Sequence, residues 1–126
     1  MQVEVTKVEK PWGYELIFAH TDRYVGKILH INPGEALSLQ YHRIKDETLH
    51  LLDGEYVLEV EEHGEMVQRT MKPGDTYHIA TGTKHRMTTA ESSCDILEVS
   101  TPELDDVVRL EDRYGRAPVT DSKNPS

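Results

Sequence analysis

Gln40, His42, Glu47 and His85 are the residues of this sequence whose types and spacing could hold a divalent cation. Gln40 and His42 are separated by one residue, so on an extended strand both side chains face the same way. Glu47 follows a short turn and would open the return strand, and His85 comes early on a much later strand, after the turn at Gly82. A closed β-architecture turns alternate side chains inward. Two imidazoles, a carboxylate and an amide oxygen from these stretches could therefore surround one ion and leave positions for water or substrate. The same strand permits another reading: Leu37, Leu39 and Tyr41 alternate with the polar set, so they could form the core face while Gln40 and His42 meet solvent. Periodicity leaves both orientations open, and His85 taken alone is equally compatible with a structural role.

The elements that would position these residues are short strands. Turn signals recur at Asn32-Pro33-Gly34, Asp53-Gly54, His63-Gly64, Pro73-Gly74-Asp75, Thr81-Gly82 and Glu91-Ser92-Ser93. From Asp53 onward they come about every ten residues, between segments rich in Val, Ile, Thr, Tyr and Leu, which predicts an all-β sandwich or barrel. Strands are expected over 3–8, 14–19, 24–31, 36–42, 47–52, 55–62, 65–71, 76–80, 84–90 and 95–100. No segment before Thr101 keeps a helical period, whereas ELDDVVRLEDRYGR after Pro102 could form a short helix or a charged loop. The expected organisation is one domain over 1–116 and a flexible tail over 117–126.

Composition narrows the partners. The chain has 126 residues, enough for one core, and its 14 basic against 23 acidic residues give a net charge of −9. With no Lys/Arg-rich run, a nucleic-acid surface has little electrostatic support. No apolar stretch approaches the roughly 18 residues of a membrane span, and the N-terminal residues lack the apolar segment of a signal peptide. The expectation is a cytoplasmic protein that binds neither nucleic acid nor membrane. The single Cys94 has no disulfide partner and reads as an inert residue.

The glycines carry a further pattern. Gly34, Gln40, His42, Glu47 and Gly54, then Gly74, Ala80, Gly82 and His85, resemble at full spacing the two signature motifs of the cupin superfamily, G-x5-H-x-H-x3-4-E-x6-G and G-x5-P-x-G-x2-H-x3-N. Gln40, Ala80 and Thr89 depart from the histidine, proline and asparagine of those motifs. Glutamine in the context LSLQYH is similar to the cupin domain of type II phosphomannose isomerases. The stretch from Lys10 to Glu15 (KPWGYE), from Gly82 to Arg86 (GTKHR) and from Val108 to Arg116 (VRLEDRYGR) resemble further elements of that family. Where the family reads HHHR this chain reads His42-Arg43-Ile44-Lys45, and its EHW becomes Glu47-Thr48-Leu49. Lys45 keeps the charge of the family's arginine without its planar fork.

That resemblance implies a single-domain jelly-roll barrel, or double-stranded β-helix. It also implies one divalent ion (zinc, manganese, iron, nickel or cobalt) on Gln40, His42, Glu47 and His85, and aldose-ketose isomerisation of a sugar or sugar phosphate. The expected catalytic set is Glu47, Lys45 and Glu98; neither spacing nor the resemblance assigns the base, for which Glu98, His50 and His78 are alternative candidates. The expected substrate contacts are Lys84, Arg86, Arg109 and His78, with Arg116 nearby, while Trp12 is expected to anchor the N-terminal strand. Lys84 and Arg86 flank His85 and should point away from it on a flat strand. If Gln40 and His42 face inward, then Leu37, Leu39 and Tyr41 face outward and need a cover, either a second subunit or the N-terminal strand, with a homodimer the expected solution. Two other functions use the same barrel: a metal-dependent dioxygenase or lyase, and a non-catalytic carbohydrate- or metabolite-binding cupin.

Overall fold

The structure, a computed structural model, describes residues 1–116; the tail expected over 117–126 lies outside the described residues. Strands form at β1 (Thr6–Lys10), β2 (Gly13–His20), β3 (Val25–Ile31), β4 (Leu39–Tyr41), β5 (Glu47–Asp53), β6 (Tyr56–Glu62), β7 (Glu65–Met71), β8 (Thr76–Ile79), β9 (His85–Thr88), β10 (Cys94–Ser100) and β11 (Val108–Glu111). No helix forms among the described residues, so none is long and apolar enough to cross a membrane.

Two antiparallel sheets pack face to face, one of order β1-β2-β3-β10-β5-β8 and one of order β11-β4-β9-β6-β7, which makes the expected all-β jelly roll. Period-two burial drives the packing. Leu29 and Ile31 on β3, Leu49 and Leu51 on β5, Leu58 and Val60 on β6 and Ile96 on β10 are all essentially inaccessible, while their neighbours in sequence face outward. Each such side chain contributes roughly 1.5–3 kcal/mol over its exposed state. Trp12 is 2% exposed and joins this core, as a packing anchor should. Gly13 opens β2 with φ +154°, and a Cβ there would lie 1.9 Å from the His30 carbonyl oxygen, so glycine alone lets β2 and β3 close beside Trp12.

Two expectations need correction. The segment after Pro102 contains a strand where a short helix or loop was expected. Val107 and Val108 are buried, and β11 pairs with β4, supplying partners to an otherwise open sheet edge. The second correction concerns the strand expected over 36–42, of which only Leu39–Tyr41 is regular. Ala36 makes an isolated bridge to Thr88, and Leu37 and Ser38 lie outside the ladder. That break in alternation lets Leu37 enter the core at 8% exposure while Gln40 and His42 keep their own orientation. The outward row of Leu37, Leu39 and Tyr41 therefore does not exist. An apolar patch lies instead on the outer face of the six-stranded sheet, where Leu16, Ile28 and Leu97 sit in one register row and Phe18 and Val99 are exposed.

Candidate metal centre

At one end of the sandwich the inward rows turn from apolar to ionisable. Glu47 precedes Leu49 and Leu51, Lys27 precedes Leu29 and Ile31, Glu98 follows Cys94 and Ile96, and His85 precedes Met87, all with inward parity and all buried. A charged residue in a core row has no apolar partner, so these groups must satisfy one another or a ligand.

His42, Glu47 and His85 come together here, with one donor atom from each within 4.8 Å of the others. His42 Nε2 lies 3.5 Å from Glu47 Oε2, and His85 Nε2 lies 3.4 Å from Glu47 Oε1. The rings are 5.2 Å apart and tilted by 50°. Their tautomers follow from their other nitrogens. His42 Nδ1 is 2.6 Å from the Asp106 carbonyl oxygen and His85 Nδ1 is 2.9 Å from that of Thr83. A carbonyl only accepts, so both Nδ1 atoms carry the proton and both Nε2 atoms turn a lone pair toward Glu47. Neither Nε2 has a hydrogen-bond partner among the described residues, and both are buried. Unpartnered buried lone pairs beside a carboxylate suit a cation, and the nitrogen and oxygen donors suit a first-row divalent ion. Gln40 sits opposite His85 in the β4–β9 ladder and lines the same cavity, its Oε1 accepting from Ser38 Oγ at 2.8 Å.

Lys45 enters from the turn after His42. Its Nζ is 3.0 Å from Glu47 Oε2 and 3.0 Å from Glu98 Oε2, ion pairs that both lack hydrogen-bond geometry. Burial would lower the Lys45 pKa, but Glu98 and Glu47 outweigh it and hold the group firmly as an ammonium. Burial would likewise raise Glu47, and the Lys45 ammonium beside it outweighs that and holds it well below the usual carboxylate range. The chain of charges continues from Glu98 to Lys27 at 3.7 Å and from Lys27 to Glu15 at 3.1 Å.

The turn itself is held from the far end of the chain. Asp106 accepts from the backbone N–H of Arg43 (Oδ1, 3.0 Å), Ile44 (Oδ2, 2.7 Å) and Lys45 (Oδ2, 2.9 Å), and its own carbonyl orients His42. Burial would raise this carboxyl, but those N–H groups keep it below its ordinary value. Nothing local in the sequence pointed to Asp106, since it acts across a long stretch of chain from a loop. Glu15 and Lys27 did carry a signal, being charged at the inward parity of otherwise apolar strands.

Other expected residues are placed elsewhere. His78 is exposed on the outer face and pairs with Asp46 at 2.7 Å, and His50 faces outward to Thr76. Lys84 is exposed, and Arg86 lies on the outer face 3.2 Å from Glu59. Parity explains His50, His78 and Arg86, which alternate with core residues on their strands, while Lys84 lies just before β9. Arg109 and Arg116 do line the cavity, together with Lys10 and Trp12. The cavity volume is about 30 Å³, room for an ion and water.

Comparison with known proteins places these features in context. The Cupin domain family model matches residues 27–100, more than half of the chain. Mannose-1-phosphate guanylyltransferase ManC of Salmonella typhimurium is 36% identical over 115 residues, which are 87% of this chain and 23% of that protein. Xanthan biosynthesis protein XanB of Xanthomonas campestris is 33% identical over 114 residues, 87% of this chain and 24% of that protein. The chain thus spans about a quarter of the length of these curated relatives. Among solved structures, KdgF from Halomonas sp. superposes with a TM-score of 0.67 at 23% identity, covering 79% of this chain and 86% of that one. Oxalate decarboxylase from Bacillus subtilis gives 0.76 at 16% identity, covering 91% and 32%. At those identities the structural likeness speaks to fold alone.

Proposed function

We infer that this chain, which belongs to the cupin family, is a metal-dependent enzyme that interconverts an aldose and a ketose, as free sugars or sugar phosphates. One observation carries the reading: His42 Nε2 and His85 Nε2, each fixed by a carbonyl on its Nδ1, converge with Glu47 in a buried cavity. The relative named for mannose 1-phosphate supports a sugar-phosphate ligand.

His42, Glu47 and His85 would hold the ion, with Gln40 as a fourth donor. Such an ion, when bound, would polarise a carbonyl and the neighbouring hydroxyl and acidify the proton between them. The protein's own groups do the rest. Asp106 and Thr83 hold the two imidazoles in one tautomer, so neither has to reorganise when substrate arrives. Glu98 Oε2 is the proposed carrier of the proton between carbons 1 and 2. Lys45, fixed as an ammonium 3.0 Å from that oxygen, is unavailable as a base and can share charge with a developing oxyanion. The surrounding core keeps bulk water from this exchange.

A coupled assay with mannose 6-phosphate and a panel of unphosphorylated aldoses tests the reading. Aldose-ketose interconversion with redox-inert metal is the expected result. Oxygen consumption with bound iron would favour a dioxygenase instead, and sugar binding by metal-free protein without turnover would favour a binding module.

A further inference from the structure

Arg109 is the least explained charge in the molecule. It lies on β11 directly opposite Gln40, is 3% exposed, and lines the cavity, yet its Nε has no hydrogen-bond partner among the described residues. No carboxylate among those residues forms an ion pair with it, although a buried charge ordinarily requires one. Other cations crowd the same wall. Burial and then the charge of Arg116 depress the Arg109 pKa, with Asp112 opposing. Burial also depresses Lys10, with Glu15 opposing and Lys27, Arg116 and Arg109 adding repulsion.

The cavity is lined by five cationic side chains, Lys10, Lys27, Lys45, Arg109 and Arg116, against the three carboxylates of Glu15, Glu47 and Glu98. Lys27 and Lys45 are consumed by those acids, and Arg116 is held by Asp112. A positive excess thus remains inside a protein of net charge −9, before any metal ion adds to it. An anion approaching from bulk meets a repellent exterior and one attractive interior wall.

We propose that Arg109, with Lys10 and Arg116 beside it, forms an oxyanion subsite that receives a phosphate monoester or carboxylate carried by the ligand. The guanidinium fork matches either group in a two-point hydrogen bond. This deepens the isomerase reading and rests on it for the reacting end of the ligand. Both termini of the fold then contribute to the ligand site, Lys10 from the end of β1 and Arg109 from β11.

The test is calorimetric titration of the metal-stripped protein with inorganic phosphate, a hexose 6-phosphate, a hexuronate and the neutral hexose. At least one sugar oxyanion is expected to bind about tenfold or more tighter than the neutral sugar, and Arg109→Gln to lose about that factor, with partial recovery in Arg109→Lys. The stronger of the two sugar anions identifies the group. If Arg109→Gln fails to fold, Lys10→Gln is the second variant and should weaken binding severalfold. Equal affinity for charged and neutral sugars, or wild-type affinity in whichever variants fold, would overturn the proposal. His42→Ala separates the two ideas, since it should lose metal and keep anion binding. Failed anion binding with metal retained removes the subsite alone, and anion binding without turnover removes the isomerase reading alone.

Discussion

Lys45 Nζ stands 3.0 Å from Glu47 Oε2, so a fixed ammonium and a carboxylate that would face the metal share one buried contact. The same nitrogen reaches Glu98 at 3.0 Å, and all three residues are at most 4% exposed. The turn between His42 and Glu47 thus does more than connect strands, because it inserts the cation that balances both acids.

Lys45→Met should therefore leave two buried carboxylates without their counter-ion. A loss of about 3–5 kcal/mol is expected in metal-free protein. Added divalent ion should recover part of it by supplying positive charge to Glu47. Urea unfolding with and without metal checks this, and an unchanged midpoint in both would contradict the assigned ion pairs.

Asp106→Ala removes the acceptor for three backbone N–H groups of that turn. Hydrogen bonds to a charged group are worth about 1.5–3 kcal/mol each and add incompletely when they share a partner, so a loss of about 2–4 kcal/mol is expected. Metal affinity should fall with it, since the carbonyl that orients His42 belongs to the same residue. The checks are thermal unfolding and metal titration.

Cys94 is 1% exposed, and burial, with help from Asp95, pushes its thiol up to about 12. Native protein at pH 8 should resist alkylation that proceeds readily in denaturant. Because the folded value is raised above the ordinary value of about 8.5, this residue's contribution to stability is complete below that pH and is lost as pH climbs toward the folded value. A Cys94→Ala variant should accordingly lose less stability than wild type on going from pH 8 to 11.

The outer face of the six-stranded sheet exposes Val99 (49%) and Phe18 (39%) beside Leu16, Ile28 and Leu97. A homodimer through this face is expected, with light scattering giving twice the chain mass. Val99→Glu should shift the protein toward monomer. A wild-type monomer at high micromolar concentration would contradict it.

Much of the barrel could be read from the chain because its cues are local. Turn residues and period-two alternation mark ten of the strands within a few residues, and motif spacing picks out His42, Glu47 and His85 for one location. What stayed hidden depends on contacts distant in sequence. β11 exists because the β4 edge needs a partner, and Leu37 is buried because the ladder breaks between Ala36 and Leu39. Lys45 read as a catalytic group until the fold brought Glu98 to it, and His78 could not be assigned to a face without knowing which parity is inward.

Elemental analysis of freshly purified wild type, His42→Ala and His85→Ala proteins tests the central claim most directly. About one divalent ion per wild-type chain is expected, with near-complete loss in both folded variants, because each removes one of the two unpartnered Nε2 donors. Wild-type protein that takes up no divalent ion even when titrated, or variants that retain it in full, would contradict the account.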